Sequence, residues 1–115
     1  MACNLNMKVI TLHTRITPDE LLAHLRSELN VLFKQHRKQA IFFDVSKKGE
    51  AVEIAQTELY DGPLFHLEIN GTQLWITRNE HYVDDVNSLT IESILNDLFE
   101  DLTDDERGVD LIQEG

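Results

Sequence analysis

Residues 64–78 read Leu-Phe-His-Leu-Glu-Ile-Asn-Gly-Thr-Gln-Leu-Trp-Ile-Thr-Arg. Two runs of alternating apolar and polar residues flank Asn70-Gly71, a preferred pair for a two-residue type I′ hairpin turn. Successive side chains of a strand point to opposite faces. A turn at Asn70-Gly71 therefore predicts Ile69 opposite Thr72, Leu67 opposite Leu74 and Phe65 opposite Ile76 on one apolar face. The other face then carries His66 opposite Trp75 and Glu68 opposite Gln73. Trp75, turned away from the apolar face, then lies either under another layer or in solvent; if it is exposed beside His66, it is a candidate binding anchor.

Upstream, Ala40 to Val45 is rich in Ile and Phe, Ser46-Lys47-Lys48-Gly49 reads as a turn, and Ala51 to Thr57 as the returning strand. Matching the apolar positions places Phe43 opposite Val52 and Ile41 opposite Ile54. Tyr60-Asp61-Gly62-Pro63 is a connecting turn. Near the start, Lys8 to Leu12 reads as a short strand. A helix follows it. Thr17 caps, Pro18 suits the first helical position, and Glu20 closes a capping box. Leu21, Leu22, Leu25, Leu29, Leu32 and Phe33 make one helical face. Lys34, His36, Arg37 and Lys38 in its last turn oppose the negative end of the macrodipole.

Downstream of the hairpin comes a second helix, with Ser88 or Thr90 as its expected cap and Ile91, Ile94, Leu95, Leu98, Phe99 and Leu102 as its buried stripe. The order β-α-β-β-β-β-α implies an α+β fold. Two helices pack on one face of a mainly antiparallel four- to five-stranded sheet. The strand-helix-strand opening allows one parallel pair through a right-handed crossover. The 115 residues form one expected domain, with residues 1–6 frayed and residues 104–115 an acidic tail anchored only by Val109, Leu111 and Ile112.

Several function classes find no support. No apolar run reaches the ~18 residues of a spanning helix, and Met1 to Asn6 lacks the regions of a signal peptide. Cys3 is the only cysteine, which fits a reducing cytoplasm and excludes an internal disulfide. The glycines form no phosphate-cradling loop and no serine lies in a nucleophile elbow. His13, His24, His36, His66 and His81 form no helical i, i+4 pair for zinc. Glu80-His81 with Asp84 and Asp85 is the best set of metal-type ligands, but its spacing commits to no geometry. No metal, no cofactor and no enzymatic activity are expected.

The charge is the informative feature. Residues 1–79 balance nine acids against nine bases, whereas residues 80–115 hold twelve acids and one base, Arg107, so the whole net charge of −11 falls there. Such a molecule is repelled by phosphate, so direct nucleic-acid binding is disfavoured. On the second helix Asp97 and Asp101, and Glu100 and Asp104, are four apart, and each like-charge pair costs roughly 0.2–0.5 kcal/mol. They also lie toward the helix C-terminus, where the macrodipole disfavours anions. Solubility explains the amount of acid but not its confinement.

The expectation is a small acidic protein that binds a basic protein partner, for example a toxin or enzyme that acts on nucleic acid. The candidate contact residues are Trp75, His66, Glu80, Asp84, Asp85, Asp97, Glu100, Asp101 and Asp104. These are the properties of an inhibitor or neutralising protein, as in immunity proteins, antitoxins and nucleic-acid mimics, although no motif assigns the chain to a named family. The rival readings are an acidic secretion-type chaperone or adaptor, for which a homodimer is expected, and a small metal-dependent enzyme.

Overall fold

A computed structural model describes residues 7–12, 15–103 and 109–114, with side chains for all of these except 100–103 and 109–114. The elements are β1 (Met7–Leu12), α1 (Pro18–Arg37), β2 (Asp44–Lys48), β3 (Ala51–Ala55), β4 (Phe65–Asn70), β5 (Gln73–Arg78), a 3-10 turn (Glu80–Tyr82), α2 (Val86–Thr103) and β6 (Val109–Glu114). The strands form one sheet in the order β2-β3-β4-β5-β1-β6, and every neighbouring pair is antiparallel. Both helices cover the same face, as the order of elements implies.

The core is the apolar face of the sheet closed by the helix stripes. Ile10, Leu12, Val52, Ile54, Phe65, Leu67, Leu74 and Ile76 of the sheet are buried against Leu21, Leu25, Leu29 and Phe33 of α1 and Ile91, Ile94, Leu95, Leu98 and Phe99 of α2. Leu102, the last expected member of the stripe, has its backbone in α2, and its side chain is not among those described. The α1 capping box forms as its sequence predicts: Thr17 Oγ1 accepts the Glu20 N–H at 3.1 Å, and Glu20 Oε1 accepts the Thr17 N–H at 2.9 Å.

The α2 cap is one turn earlier than Ser88 or Thr90. Asp85 Oδ2 accepts the Ser88 N–H at 3.1 Å, and the helix begins at Val86. Ser88 is instead fully buried, and Thr90 Oγ1 donates back to the Val86 carbonyl at 2.8 Å. A carboxylate at this position accepts an orphan N–H and meets the positive end of the macrodipole, so Asp85 is the stronger cap.

Both hairpins adopt a register other than the expected one. Asn70 pairs with Gln73, Ile69 with Leu74, Leu67 with Ile76 and Phe65 with Arg78, so the turn is Gly71-Thr72 rather than Asn70-Gly71. Likewise Lys48 pairs with Ala51, Lys47 with Val52 and Val45 with Ile54, which makes Gly49-Glu50 the turn and replaces the expected Phe43–Val52 and Ile41–Ile54 pairs. In each case glycine takes the first central position with positive φ, 62° at Gly49 and 67° at Gly71, the type II′ arrangement. Type I′ would also require positive φ at Asn70, which Asn70 does not have. Both slips are even-numbered, so every side chain keeps its face.

Ala40 to Phe43 is therefore outside the ladder. Phe43 remains in the core, edge-to-face on Phe33 with ring centroids 4.7 Å apart. Among the described residues no parallel pair forms either. β1 lies between β5 and β6, and β2 is the far edge, four inter-strand spacings or ~19 Å from β1. The 20-residue α1, ~30 Å long, bridges that distance. Where an acidic tail is expected, residues 109–114 pair with β1 as an edge strand, Ile10 opposite Ile112 and Leu12 opposite Val109. They fill the side of β1 that β5 leaves open. Residues 1–6 and 104–108 lie outside the described residues.

Candidate functional site

The antiparallel topology sorts the connections between two ends of the sheet. One end carries the tight turns Gly49-Glu50 and Gly71-Thr72, the start of α1 and the end of α2. The other collects the end of α1, segment 38–43, segment 56–64, segment 79–85 and the first turn of α2. The second, loop-rich end is tied together by side chains. Gln56 Nε2 donates to the Phe42 carbonyl at 3.0 Å, and the Leu59 N–H donates to the Gln56 carbonyl at 3.1 Å. Asn79 Nδ2 donates to the Pro63 carbonyl at 2.9 Å, and its Oδ1 accepts the His81 N–H at 3.0 Å. Tyr60 and Tyr82 meet edge-to-face at 4.8 Å, and the Tyr82 hydroxyl accepts the Asp61 N–H at 2.9 Å.

The Tyr60 hydroxyl joins this end to α2. It donates to Asp85 Oδ2 at 2.8 Å and accepts from Asn87 Nδ2 at 3.0 Å. Burial pushes the Tyr60 hydroxyl above the ordinary tyrosine range; the Asp85 carboxylate adds to the rise and the Asn87 donor opposes it. Tyr60 is thus held as a protonated donor.

The candidate contact residues do not form one site. Trp75 and His66 lie on the face of the sheet away from the helices, as expected, but they are not opposite each other. Trp75 pairs with Glu68 and Val9, is half-buried, and donates from Nε1 to Gln73 Oε1 at 3.1 Å. His66 lies between Thr77 and Glu53, and its Nδ1 is 2.9 Å from Glu53 Oε2. Glu80 and Asp84 are exposed at the loop-rich end, whereas Asp85 is committed to its cap and to Tyr60. Asp97 is exposed thirteen residues farther along, ~20 Å from Asp84 along the helix axis. Glu100 and Asp101 are in the helix backbone without described side chains, and Asp104 is outside the described residues.

Sequence reasoning missed Glu92. Its carboxylate receives Arg78 Nη1 at 2.6 Å and Lys8 Nζ at 3.4 Å, clasping α2 to β5 and β1. The spacings of 14 and 84 residues leave no local signal for it. Compared with known proteins, the chain matches no family model, no curated protein and no solved structure.

The charge asymmetry of the sequence is also spatial. α1 packs on β2 and β3; Lys34, His36 and Lys38 are exposed at its C-terminal end, and Lys47 and Lys48 are exposed on β2. α2 lies toward β5 and β1, held there by Glu92. Glu80, Asp84 and Asp97 have no cationic partner among the described residues. No group of three or more metal-type ligands converges among the described residues, because the Asp85 side chain turns to Tyr60 rather than to Glu80 and His81. No helix among them is long and apolar enough to cross a membrane.

Proposed function

We propose that this chain is a non-enzymatic protein that binds a basic protein partner and acts as an inhibitor or neutraliser of the immunity-protein or antitoxin kind. One observation carries the reading. Among the acids beyond residue 79 whose side chains are described, only Glu92 meets a base; Glu80, Asp84 and Asp97 face solvent and Asp85 caps α2. A fold that pairs Glu92 with both Lys8 and Arg78 can neutralise carboxylates where stability needs it. The remaining acids are then available to steer a cation-rich surface and to exclude phosphate. The single cysteine, Cys3, fits a reducing cytoplasm on the same reading.

The test is affinity capture from the source cell at low and high salt, with reversed variants as bait. Asp97→Lys with Glu100→Lys should lose a basic partner that the wild type retains at low salt. Glu50→Lys with Glu68→Lys, both exposed and in the balanced part of the chain, should retain it. Equal loss from both pairs would show that total charge, not this side of the molecule, governs binding.

The adaptor reading has one observation in its favour. Neither α1 nor α2 covers the outer sheet face, and Met7, Val9 and Trp75 are only half-buried there. A concentration-dependent homodimer in sedimentation would support that reading.

A further inference from the structure

We propose that the partner docks at the loop-rich end, through an amphipathic basic segment whose apolar side chains cover Phe42, Leu59, Val86 and Leu89. This rests on the reading of the chain as a binder of basic protein. Among the described residues, the large apolar side chains that are exposed are Phe42 at 67%, Leu59 at 55%, Val86 at 52% and Leu89 at 45%, with Val31 of α1 at 54%. All but Val31 belong to segments gathered at this end. Single exposed apolar residues are ordinary; several on neighbouring loops at one end are not.

The fold does not require these side chains to be apolar. Gln56 holds the backbone carbonyl of Phe42 and leaves the ring free, while Ile41 and Phe43 on either side supply the packing. Phe42 borders an open groove of about 340 Å³, whose other walls are Asp44, Ala55, Gln56, Thr57 and Glu58. Gln56 donates to the Phe42 carbonyl and accepts from the Leu59 N–H, and Tyr60 donates to Asp85, so the surface is held in place before any partner arrives. Preformed surface of this kind lowers the ordering cost of binding.

Charge selects the occupant. Asp44, Glu58, Asp61, Glu80 and Asp84 are exposed around these apolar side chains and have no cationic partner among the described residues. Lys34, His36 and Lys38 flank the Phe42 side only. A segment with Lys or Arg beside its apolar anchors is therefore attracted toward the Leu59–Val86 side. Strand addition is obstructed at the end of the β2 edge nearest Phe42. The Phe43 N–H and carbonyl are both taken by Asn30, and the Val45 carbonyl accepts from Arg26 Nε at 3.0 Å. Side chains, not a backbone ladder, must carry the contact.

The experiment uses two synthetic helical peptides of about 18 residues and equal charge, one of Leu and Lys, the other of Ser and Lys, titrated into the isotope-labelled protein of residues 1–115. The Leu/Lys peptide should shift the amides of residues 42, 56–61 and 80–89 and bind about tenfold or more tightly than the Ser/Lys peptide, a difference of about 1.4 kcal/mol. Phe42→Ser with Leu59→Ser should remove that advantage; both side chains are exposed, so an unchanged amide spectrum elsewhere verifies the fold. Equal binding of the two peptides with shifts confined to the Asp97 region would overturn the docking site and leave the basic-partner reading intact. Binding of neither peptide would overturn both.

Discussion

The side-chain amide of Asn30 holds the backbone of Phe43 at both of its polar atoms: Oδ1 accepts the Phe43 N–H at 2.7 Å, and Nδ2 donates to the Phe43 carbonyl at 2.9 Å. A neighbouring strand would make the same pair of bonds. An α1 side chain thus closes the end of the edge strand and lets Phe43 leave the ladder for its place on Phe33.

Removing this grip should be costly. Asn30→Ala leaves a part-buried N–H and carbonyl without partners, for about 1–3 kcal/mol of destabilisation. Asn30→Asp keeps the acceptor and loses the donor, so it should fall between the two. Urea unfolding of the three proteins measures the series. A free β2 edge should also make Asn30→Ala the variant most prone to aggregate.

The two hairpin readings make opposite forecasts for neighbouring residues. Gly71 has φ of 67° with no atom near a built Cβ, so Gly71→Ala is a backbone penalty of about 1–2 kcal/mol. Asn70 has negative φ and is exposed, so Asn70→Ala should change stability by less than about 0.5 kcal/mol. A type I′ turn at Asn70-Gly71 would instead make both substitutions costly. Thermal unfolding of the two single variants separates the turns.

Those hairpins show how far the sequence could be read. Faces were legible, because alternation every two residues and recurrence every three to four decide which side chains point inward. The same periodicity cannot see an even-numbered slip, since Leu67 and Leu74 keep their face in either register. Turn chemistry had to arbitrate, and the preference for Asn-Gly concealed the glycine-first alternative that both Gly49 and Gly71 adopt. Phe42 was legible only in part: alternation with Ile41 and Phe43 already turns it from the core, but a strand over 40–45 would set it on the outer sheet face, and only the exit of this segment from the ladder puts it among the loops. The tie of Glu92 to Lys8 and Arg78 joins residues too distant in sequence for any local pattern to reveal.

The acids of α2 should divide by environment. Glu92→Gln leaves Lys8 and Arg78, both mostly buried, facing a neutral amide, and should cost about 1–2 kcal/mol. Asp97→Asn removes an exposed charge four residues from Asp101 and should be neutral or stabilising by up to about 0.5 kcal/mol at low salt. Its gain should vanish as added salt screens the pair, whereas the Glu92→Gln loss should persist. Denaturation of both variants across a salt series provides the comparison.

Tyr60 supplies a pH dependence. Its hydroxyl is held above the ordinary tyrosine range, first by burial and then by the Asp85 carboxylate that it donates to. The unfolded chain releases this proton near pH ~10, while the folded chain still retains it. The folded state then binds more protons than the unfolded one, so stability must fall as pH rises. The contribution is complete below pH ~10 and is lost as pH climbs through the raised folded value. Tyr60→Phe lacks the proton and both hydroxyl bonds, and should be about 1 kcal/mol less stable than wild type at neutral pH. Other groups titrate equally in the two proteins, so the difference between them isolates Tyr60. Urea unfolding from pH ~8 to ~11 should show the gap constant at first and then narrowing above pH ~10. A gap that stays constant or widens over that range would mean that the folded protein gives up the Tyr60 proton as readily as the unfolded chain does.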